Sequence, residues 1–371
     1  MEKDKENKIL NVPALRFPEF TGEWKEERLS KIAELSKGVG ISKEQLSEDG
    51  EPCILYGELY TKYKSEIIHK VISKTNIESS NLKRSKRNDV IIPCSGETAI
   101  DIAVARCVPF DNILLGGDLN IIRLHKDDGA FMAYQLNGKR KIDIAKLAQG
   151  VSVVHLYGEN IKAIKTYNPC LQEQQKIVKL LSMLDERLEV QNKIIEKLET
   201  LIKGIIEKTF VSTQYVPLQH YSPIITSGKD KDERGNYPLY GSTGVIGSVS
   251  KPSYNKSIVL IARVGSIGNV QYVTTPCGIS DNTLIIDAGE ENRFIYYYLN
   301  GYNFSHIISG TTQPLITASS VKKIKIPVIE KHRRKKIVST LCAIERKLYN
   351  ERQITYLLSR QKDFLLSQMF I

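Results

Sequence analysis

Tyrosine, serine, threonine and basic residues stand beside glycines in two separate parts of this 371-residue chain, a mixture suited to gripping a ligand rather than transforming one. The segments are LYGELYTKY (55–63) and CSGET (94–98) in the first half, and PLYGSTGVIG (238–247) and VGSIGNV (264–270) in the second. Glycine allows close approach of backbone to a ligand, and the neighbouring hydroxyls, amides and rings can donate, accept and stack. The candidate contact residues are Lys37, Tyr56, Tyr60, Lys62, Tyr63, Ser95 and Thr98 in the first part. In the second they are Lys229, Arg234, Tyr240, Ser242, Thr243, Arg263, Ser266 and Gln313. Lys162, Lys165, Lys322 and Lys325 recur at equivalent positions in the two halves, which suits cations that hold phosphates. Hairpin turns and solvated loops use the same residue types. Recurrence in both halves with different polar neighbours favours one scaffold that reads two different targets.

No set of catalytic groups assembles. The chain has no GxxxxGK[ST] phosphate loop, no GxGxxG fingerprint, no HExxH and no GxSxG elbow. Asn168-Pro169-Cys170-Leu171 superficially resembles the Asn-Pro-Pro-aromatic motif of adenine methyltransferases, but its second proline and its aromatic are missing. The six cysteines are scattered singly, without CxxC pairs or histidines at zinc spacing, so reduced and mostly buried thiols and no metal site are expected.

What positions the contact residues is a duplication. Residues 150–210 return at 310–370 with an offset of 160: Gly150, Lys162, Ile164 and Lys165 match Gly310, Lys322, Ile324 and Lys325. Asp118 and Leu136-Asn137-Gly138 match Asp281 and Leu299-Asn300-Gly301 at an offset of 163. Such a period is far longer than a solenoid repeat of roughly 20–50 residues, so whole domains are duplicated.

From Leu171 to Phe210 apolar residues alternate at spacings of four and three: Ile177, Leu181, Leu184, Leu188, then Ile195, Leu198 and Ile202, with Gln191 in the one polar slot. This heptad seam predicts a coiled-coil helix of about 60 Å. The second copy repeats the seam at Ile337, Leu341, Ile344 and Leu348 before becoming less regular. Antiparallel pairing of the two helices is expected, since a compact module then leaves and re-enters at one end. Short β-like runs such as DVIIP (89–93), NIIRL (120–124), SIVLIARVG (257–265) and NTLIIDA (282–288) predict a mixed, twisted sheet in each module. The fold class expected is therefore α/β: two α/β recognition domains separated by two long antiparallel coiled-coil helices, with a pseudo-twofold internal repeat. The divisions are a 1–24 N-terminal extension, a 25–169 first domain, a 170–212 first spacer helix, a 213–327 second domain and a 328–371 second spacer helix.

The formal charge of +11 points to a polyanionic partner, and its location is uneven. Lys322–Lys336 holds eight basic residues against one acid, Glu330, where a helix should begin. Positive charge there opposes the helix dipole, so a phosphate or an acidic protein surface competes with a merely solvated face. No apolar run long enough for a membrane span exists, and the charged MEKDKENKIL start gives no signal-peptide core, so a cytoplasmic protein is expected.

Three stretches carry a family resemblance: VPALRFPEFTGEWKEERLSKIAEL (12–35), KGVGISKEQL…ILYGELYTKY (37–63), and VSVVHLYGENIKAIKTYNPCLQEQQKIVKLLSMLDERL (151–188) with its second edition at 310–341. A strand ending in proline, then Glu-Gln-x-Lys-Ile opening a long helix, resembles the DNA-specificity subunit of type I restriction-modification enzymes. The resemblance implies a non-catalytic DNA reader. Each domain would take one half of a bipartite, asymmetric target, and the helix pair would fix the spacer and scaffold the partners. Those partners would be two methyltransferase subunits and two restriction/translocase subunits, with S-adenosylmethionine, ATP and Mg2+ serving them and no cofactor on this chain. The second copy departs from the pattern: Arg333-Arg334-Lys335-Lys336 stands where the first has Glu173-Gln174-Gln175-Lys176. A stand-alone DNA-binding specificity protein and a coiled-coil assembly protein without DNA specificity remain the rivals. Salt separates the last from the others, since phosphate contacts predict a steep loss of affinity as salt rises.

Overall fold

Asp89–Pro93 is a strand buried along its whole length, which fits its apolar run Val90-Ile91-Ile92, while its buried Asp89 is paired with Arg123. In this computed structural model, which describes residues 10–78, 80–310 and 313–371, the strand lies inside a four-stranded antiparallel sheet. The order is Ala33–Lys37, Leu119–Leu124, Asp89–Pro93, Arg106–Val108. Alternate side chains leave opposite faces. Val90, Ile92 and Ile122 pack against Ala130, Met132, Ala133 and Leu136 of the helix Gly129–Asn137. Ile91, Leu119 and Ile121 join Ile54, Leu59, Ile68 and Leu115 below a second, mixed sheet.

The chain divides into two units, Met1–Asn192 with Ile354–Ile371, and Lys193–Gln353. The second unit repeats the layers of the first. Its four-stranded sheet runs Ile225–Ser227, Thr283–Ile286, Ile258–Ala262, Val270–Val273. Val259, Ile261, Leu284 and Ile286 face Phe294, Ile295, Tyr297 and Leu299 of the helix Asn292–Asn300, and Ile258, Leu260 and Ile285 face Cys277 and Ile279. Both units also contain a parallel strand pair in the second sheet, Glu51–Ile54 with Leu114–Leu115 and Tyr237–Gly241 with Gly278–Ile279. The repeat inferred from scattered matches is thus a repeat of topology.

The long helices run Leu171–Thr209 and Lys331–Gln368, close to the expected 170–212 and 328–371. The unit division falls inside them rather than at their ends. In the first unit Ile177, Leu181 and Leu184 share a core with Leu358, Leu365, Met369 and Phe370. The Trp24 indole donates to Glu173 at 3.2 Å and packs edge-on to Phe370, whereas Asp185 accepts from Lys362. Advancing along one helix therefore retreats along the other, so the paired segments are antiparallel. The second unit shows the same sense: Arg352 pairs with Glu199 at 2.7 Å, while Ile206 and Phe210 share a core with Ile337 and Leu341. Leu188, Ile195, Leu198, Ile202 and Ile344 are half-buried and Leu348 is buried.

Residues 1–9 of the expected N-terminal extension lie outside the described residues. The rest is a strap packed on the first unit. Arg16 forms a bidentate pair with buried Glu173 at 2.7 Å, and the Leu15 amide donates to the Gln368 carbonyl. All six cysteines are free, with Cys170 exposed and Cys342 half-buried. Among the described residues no helix is long and apolar enough to cross a membrane.

Candidate nucleic-acid interface

In the second unit the glycine-bearing loops converge at one end of the sheets. The Asn269 side chain donates to the Ser242 carbonyl and Gln271 donates to the Gly241 carbonyl, both at 2.8 Å. The Ser280 amide donates to the Tyr240 carbonyl at 2.9 Å, the Arg263 amide donates to the Asn282 carbonyl at 2.9 Å, and the Ile316 amide donates to the Arg263 carbonyl at 3.0 Å. Tyr240, Ser242, Thr243, Arg263 and Ser266 thus share one rim, with Gln313 three residues before Ile316. Gly265 sits at φ +72°, and a Cβ there would lie 3.1 Å from the Ser242 hydroxyl, so the turn needs glycine on both counts.

Lys229 and Arg234 flank the same rim on a tip braced by carboxylates. Asp232, held below the usual carboxylate range by the Ser248 and Arg234 amides, fixes one side. Asp230 accepts from the Ile279 amide and the Ser253 hydroxyl, both at 2.7 Å. Arg263 is half-buried, and its Nε has no acceptor among the described residues, which leaves the guanidinium uncommitted to the protein.

The first unit brings fewer of its candidates to the surface. Lys37 lies 3.3 Å from Asp118, and Tyr60 is surrounded by Tyr56, Glu97 and Asp101, with burial chiefly raising its hydroxyl pKa. Thr98 is exposed but accepts from the Asp101 amide at 3.2 Å as the cap of a short helix. Two candidates require correction. Tyr63 is only 6% exposed and its hydroxyl accepts from the Ile72 amide, so it is a core residue; burial pushes its phenol up to about 12. Ser95, 7% exposed, lies in a strand facing Val154–His155. Lys62 is also spoken for, donating to Glu58 at 2.6 Å and to Ser73 at 3.0 Å. Glycine-adjacent tyrosines and serines look alike in sequence whether they point inward or outward; pleat and helix phase decide.

The four recurring lysines divide cleanly. Lys162 pairs with Glu159 and Lys165 with Glu26, each at 2.6 Å, whereas Lys322 and Lys325 make no ion pair among the described residues. Arg334 and Lys331 in the basic cluster are held by Glu291 and Glu290, so the dipole penalty there is partly relieved, while Arg333, Lys335 and Lys336 stay exposed.

Sequence reading missed the groups that seat each module on its helices. Tyr134 donates to Asp185 at 2.6 Å in the first unit and Tyr297 donates to Glu345 at 2.6 Å in the second. Asp185 also accepts from Ser65 and Lys362, and Lys362 donates in turn to Glu66. The 163 and 160 offsets that relate these tyrosines and carboxylates were the available signal.

Two duplicated modules, each of two packed sheets with glycine-bearing loops and a short helix seated on a long helix, define an α/β scaffold built twice. The family model of the type I restriction modification DNA specificity domain matches residues 21–200 and 221–358, and the chain belongs to that family. The type I restriction enzyme MjaVIII specificity subunit of Methanocaldococcus jannaschii is 27% identical over 212 residues, 57% of this chain and 46% of that one. A protein of Haemophilus influenzae, S.HindORF215P, is 24% identical over 140 residues, 35% of this chain. The chain spans less than half the length of these curated relatives, 46% and 36%. The crystal structure of the type I restriction-modification system S subunit from M. genitalium superposes with a TM-score of 0.70 at 20% identity, covering 97% of this chain and 99% of that one. A chain from a structure of type I restriction-modification complex assembly gives 0.56 at 16% identity, covering 94% and 97%. These likenesses show a shared fold.

Proposed function

We propose that this chain is the non-catalytic DNA-reading subunit of a type I restriction-modification complex, each unit taking one half of a bipartite, asymmetric target. The supporting observation is one topology built twice; on this reading Lys37, Tyr56, Tyr60 and Thr98 in one unit, and Lys229, Arg234, Tyr240, Ser242, Thr243, Arg263, Ser266 and Gln313 in the other, would meet the DNA. A duplex shows each base pair distinctly in the major groove, so two unlike rims read two unlike sequences, while lysines and arginines hold phosphates. The two helices, each about 57–60 Å long at 1.5 Å per residue, would set the unspecified spacer, which exceeds one DNA turn of roughly 34 Å. They would also scaffold two methyltransferase subunits, and two restriction/translocase subunits would complete the complex. S-adenosylmethionine, ATP and Mg2+ would belong to those partners, and the assembly would work in the cytoplasm. The methyltransferase partners would flip their target base from the stack.

The test is a map of methylated adenine in a methylation-deficient host that expresses the partner methyltransferase with and without this chain. A split motif present only with this chain is expected. Co-purification without any motif would remove the specificity reading, and failure to associate would remove the scaffold reading.

A further inference from the structure

Among the described residues, the duplicated chain compensates its repeated lysines in one unit and not in the other. In the first unit, the strand Lys25–Arg28 places Glu26 beside the strand Lys165–Asn168, and Glu26 pairs with Lys165 and accepts from the Tyr167 hydroxyl at 2.9 Å. Glu159 pairs with Lys162. In the second unit the register is the same: Arg28 faces Lys165 and Pro217 faces Lys325, so the residue two before, Glu26 in the first strand, is Tyr215 in the second. The position of Glu159 is held by Ser319 at the offset of 160, and Ala163 is replaced by Lys323. Both acids are gone and one further cation has been added.

A cavity of about 540 Å³ opens at that place, lined by Tyr215, Tyr298, Tyr302, Ile307, Lys323 and Lys325 among others. This volume falls within the roughly 300–1,000 Å³ of small-molecule sites. Three phenol rings line it, those of Tyr298 and Tyr302 tilted against each other with centroids 6.2 Å apart. Tyr298 donates to the Lys325 carbonyl at 2.7 Å, which holds its ring, and burial followed by the neighbouring Tyr302 and Tyr215 pushes its hydroxyl up to about 12. Lys323 and Lys325 are exposed and make no ion pair among the described residues. Aromatic faces beside uncompensated ammonium groups suit a ligand that is flat at one end and anionic at the other. An aliphatic ligand would leave the cations unsatisfied, and a bare anion would leave the rings unused.

We propose that this cavity binds a nucleoside phosphate, its base stacked on the tyrosines and its phosphate held by Lys323 and Lys325. Base–aromatic stacking contributes about 1–3 kcal/mol per base, and the ammonium–phosphate contact is charge-assisted. The nucleoside phosphate is supplied either as a free mononucleotide or as one unit of a nucleic-acid strand. Lys325 is also a phosphate candidate of the proposed function, but binding of a free nucleotide in this cavity does not rest on the reading of the glycine-loop rim.

The test is equilibrium dialysis of the full purified chain against AMP, adenosine, inorganic phosphate and a single-stranded tetranucleotide. AMP is expected to bind more tightly than adenosine or phosphate alone by about tenfold or more, because both ends of the ligand are used. Lys323→Ala with Lys325→Ala should weaken AMP about tenfold, whereas Lys203→Ala with Lys208→Ala, at exposed lysines of the first long helix, should leave it unchanged. Tyr215→Glu restores the acid of the first unit and should weaken AMP similarly, with far-ultraviolet circular dichroism confirming that each variant is folded. A tetranucleotide binding much more tightly than AMP assigns the site to a strand, and equal binding assigns it to a free nucleotide; either supports the site. No AMP binding, or binding indifferent to the Lys323, Lys325 and Tyr215 substitutions in folded protein, overturns it.

Discussion

Tyr134 and Tyr297 do the same work in their two units: each is fully buried on a short helix and donates a hydrogen bond from its hydroxyl to a carboxylate on a long helix. Desolvation is the first cause that raises both phenol pKa values, with Asp185 adding to it at Tyr134 and Cys342 and Glu345 adding at Tyr297. Removing one hydroxyl by Tyr134→Phe should cost about 1–2 kcal/mol. Because two units need not unfold together, the readout is hydrogen exchange rather than a single melting point. Protection should fall around Gly129–Asn137 for Tyr134→Phe and around Asn292–Asn300 for Tyr297→Phe; equal losses in both units from either variant would contradict separate locks. The pH dependence has a definite sign. A raised folded pKa means that the contribution is intact below the ordinary tyrosine value of about 10. It is lost as pH rises beyond that, because the unfolded chain gives up the proton first.

Lys362 ties three elements together: it donates to Asp185 on the other long helix and to Glu66 in the first module, and only 12% of its side chain is exposed. Arg352 makes the superficially similar pair with Glu199, but the two are 58% and 46% exposed. Burial decides which pair matters. Lys362→Met leaves two buried carboxylates facing each other and should destabilise the first unit by about 3–5 kcal/mol, seen as lost protection over residues 354–371. Arg352→Met should change stability by less than about 1 kcal/mol. The reverse order would show that the helix end is not held by its buried charge network. The helices themselves were legible, since a four-three apolar seam has no other good solution. Their anchor was not, because Trp24, Arg16 and Glu173 meet across nearly the whole first module.

At the scale of the molecule, the proposed reading of DNA by one topology built twice predicts modular specificity. Exchanging residues 25–150 for the same module of a relative should change one half of the recognised DNA sequence and leave the other half intact, as read from methylated sites. A change in both halves would show that the units do not read independently. The division into units matters for such exchanges, because residues 354–371 belong to the first unit although they end the chain. The Leu358, Leu365, Met369 and Phe370 side chains complete the core under Trp24 and Phe131. An exchange that also replaced these residues would disturb that core.

The sequence by itself determined the duplication, the two long helices, the α/β character of each module and the family, because periodic apolar spacing and repeated offsets are properties of the chain order. It also marked the second-unit loops that meet at one rim, where glycines at 265 and 268 impose the turn. Tertiary structure alone decided which glycine-adjacent residues face outward. Tyr63 and Ser95 turned inward, Lys62 was taken by Glu58, and Lys162 and Lys165 found acids that Lys322 and Lys325 lack among the described residues. The reason is physical: a cation's availability depends on which carboxylate folding brings within about 4 Å, and that neighbour is often far away in sequence.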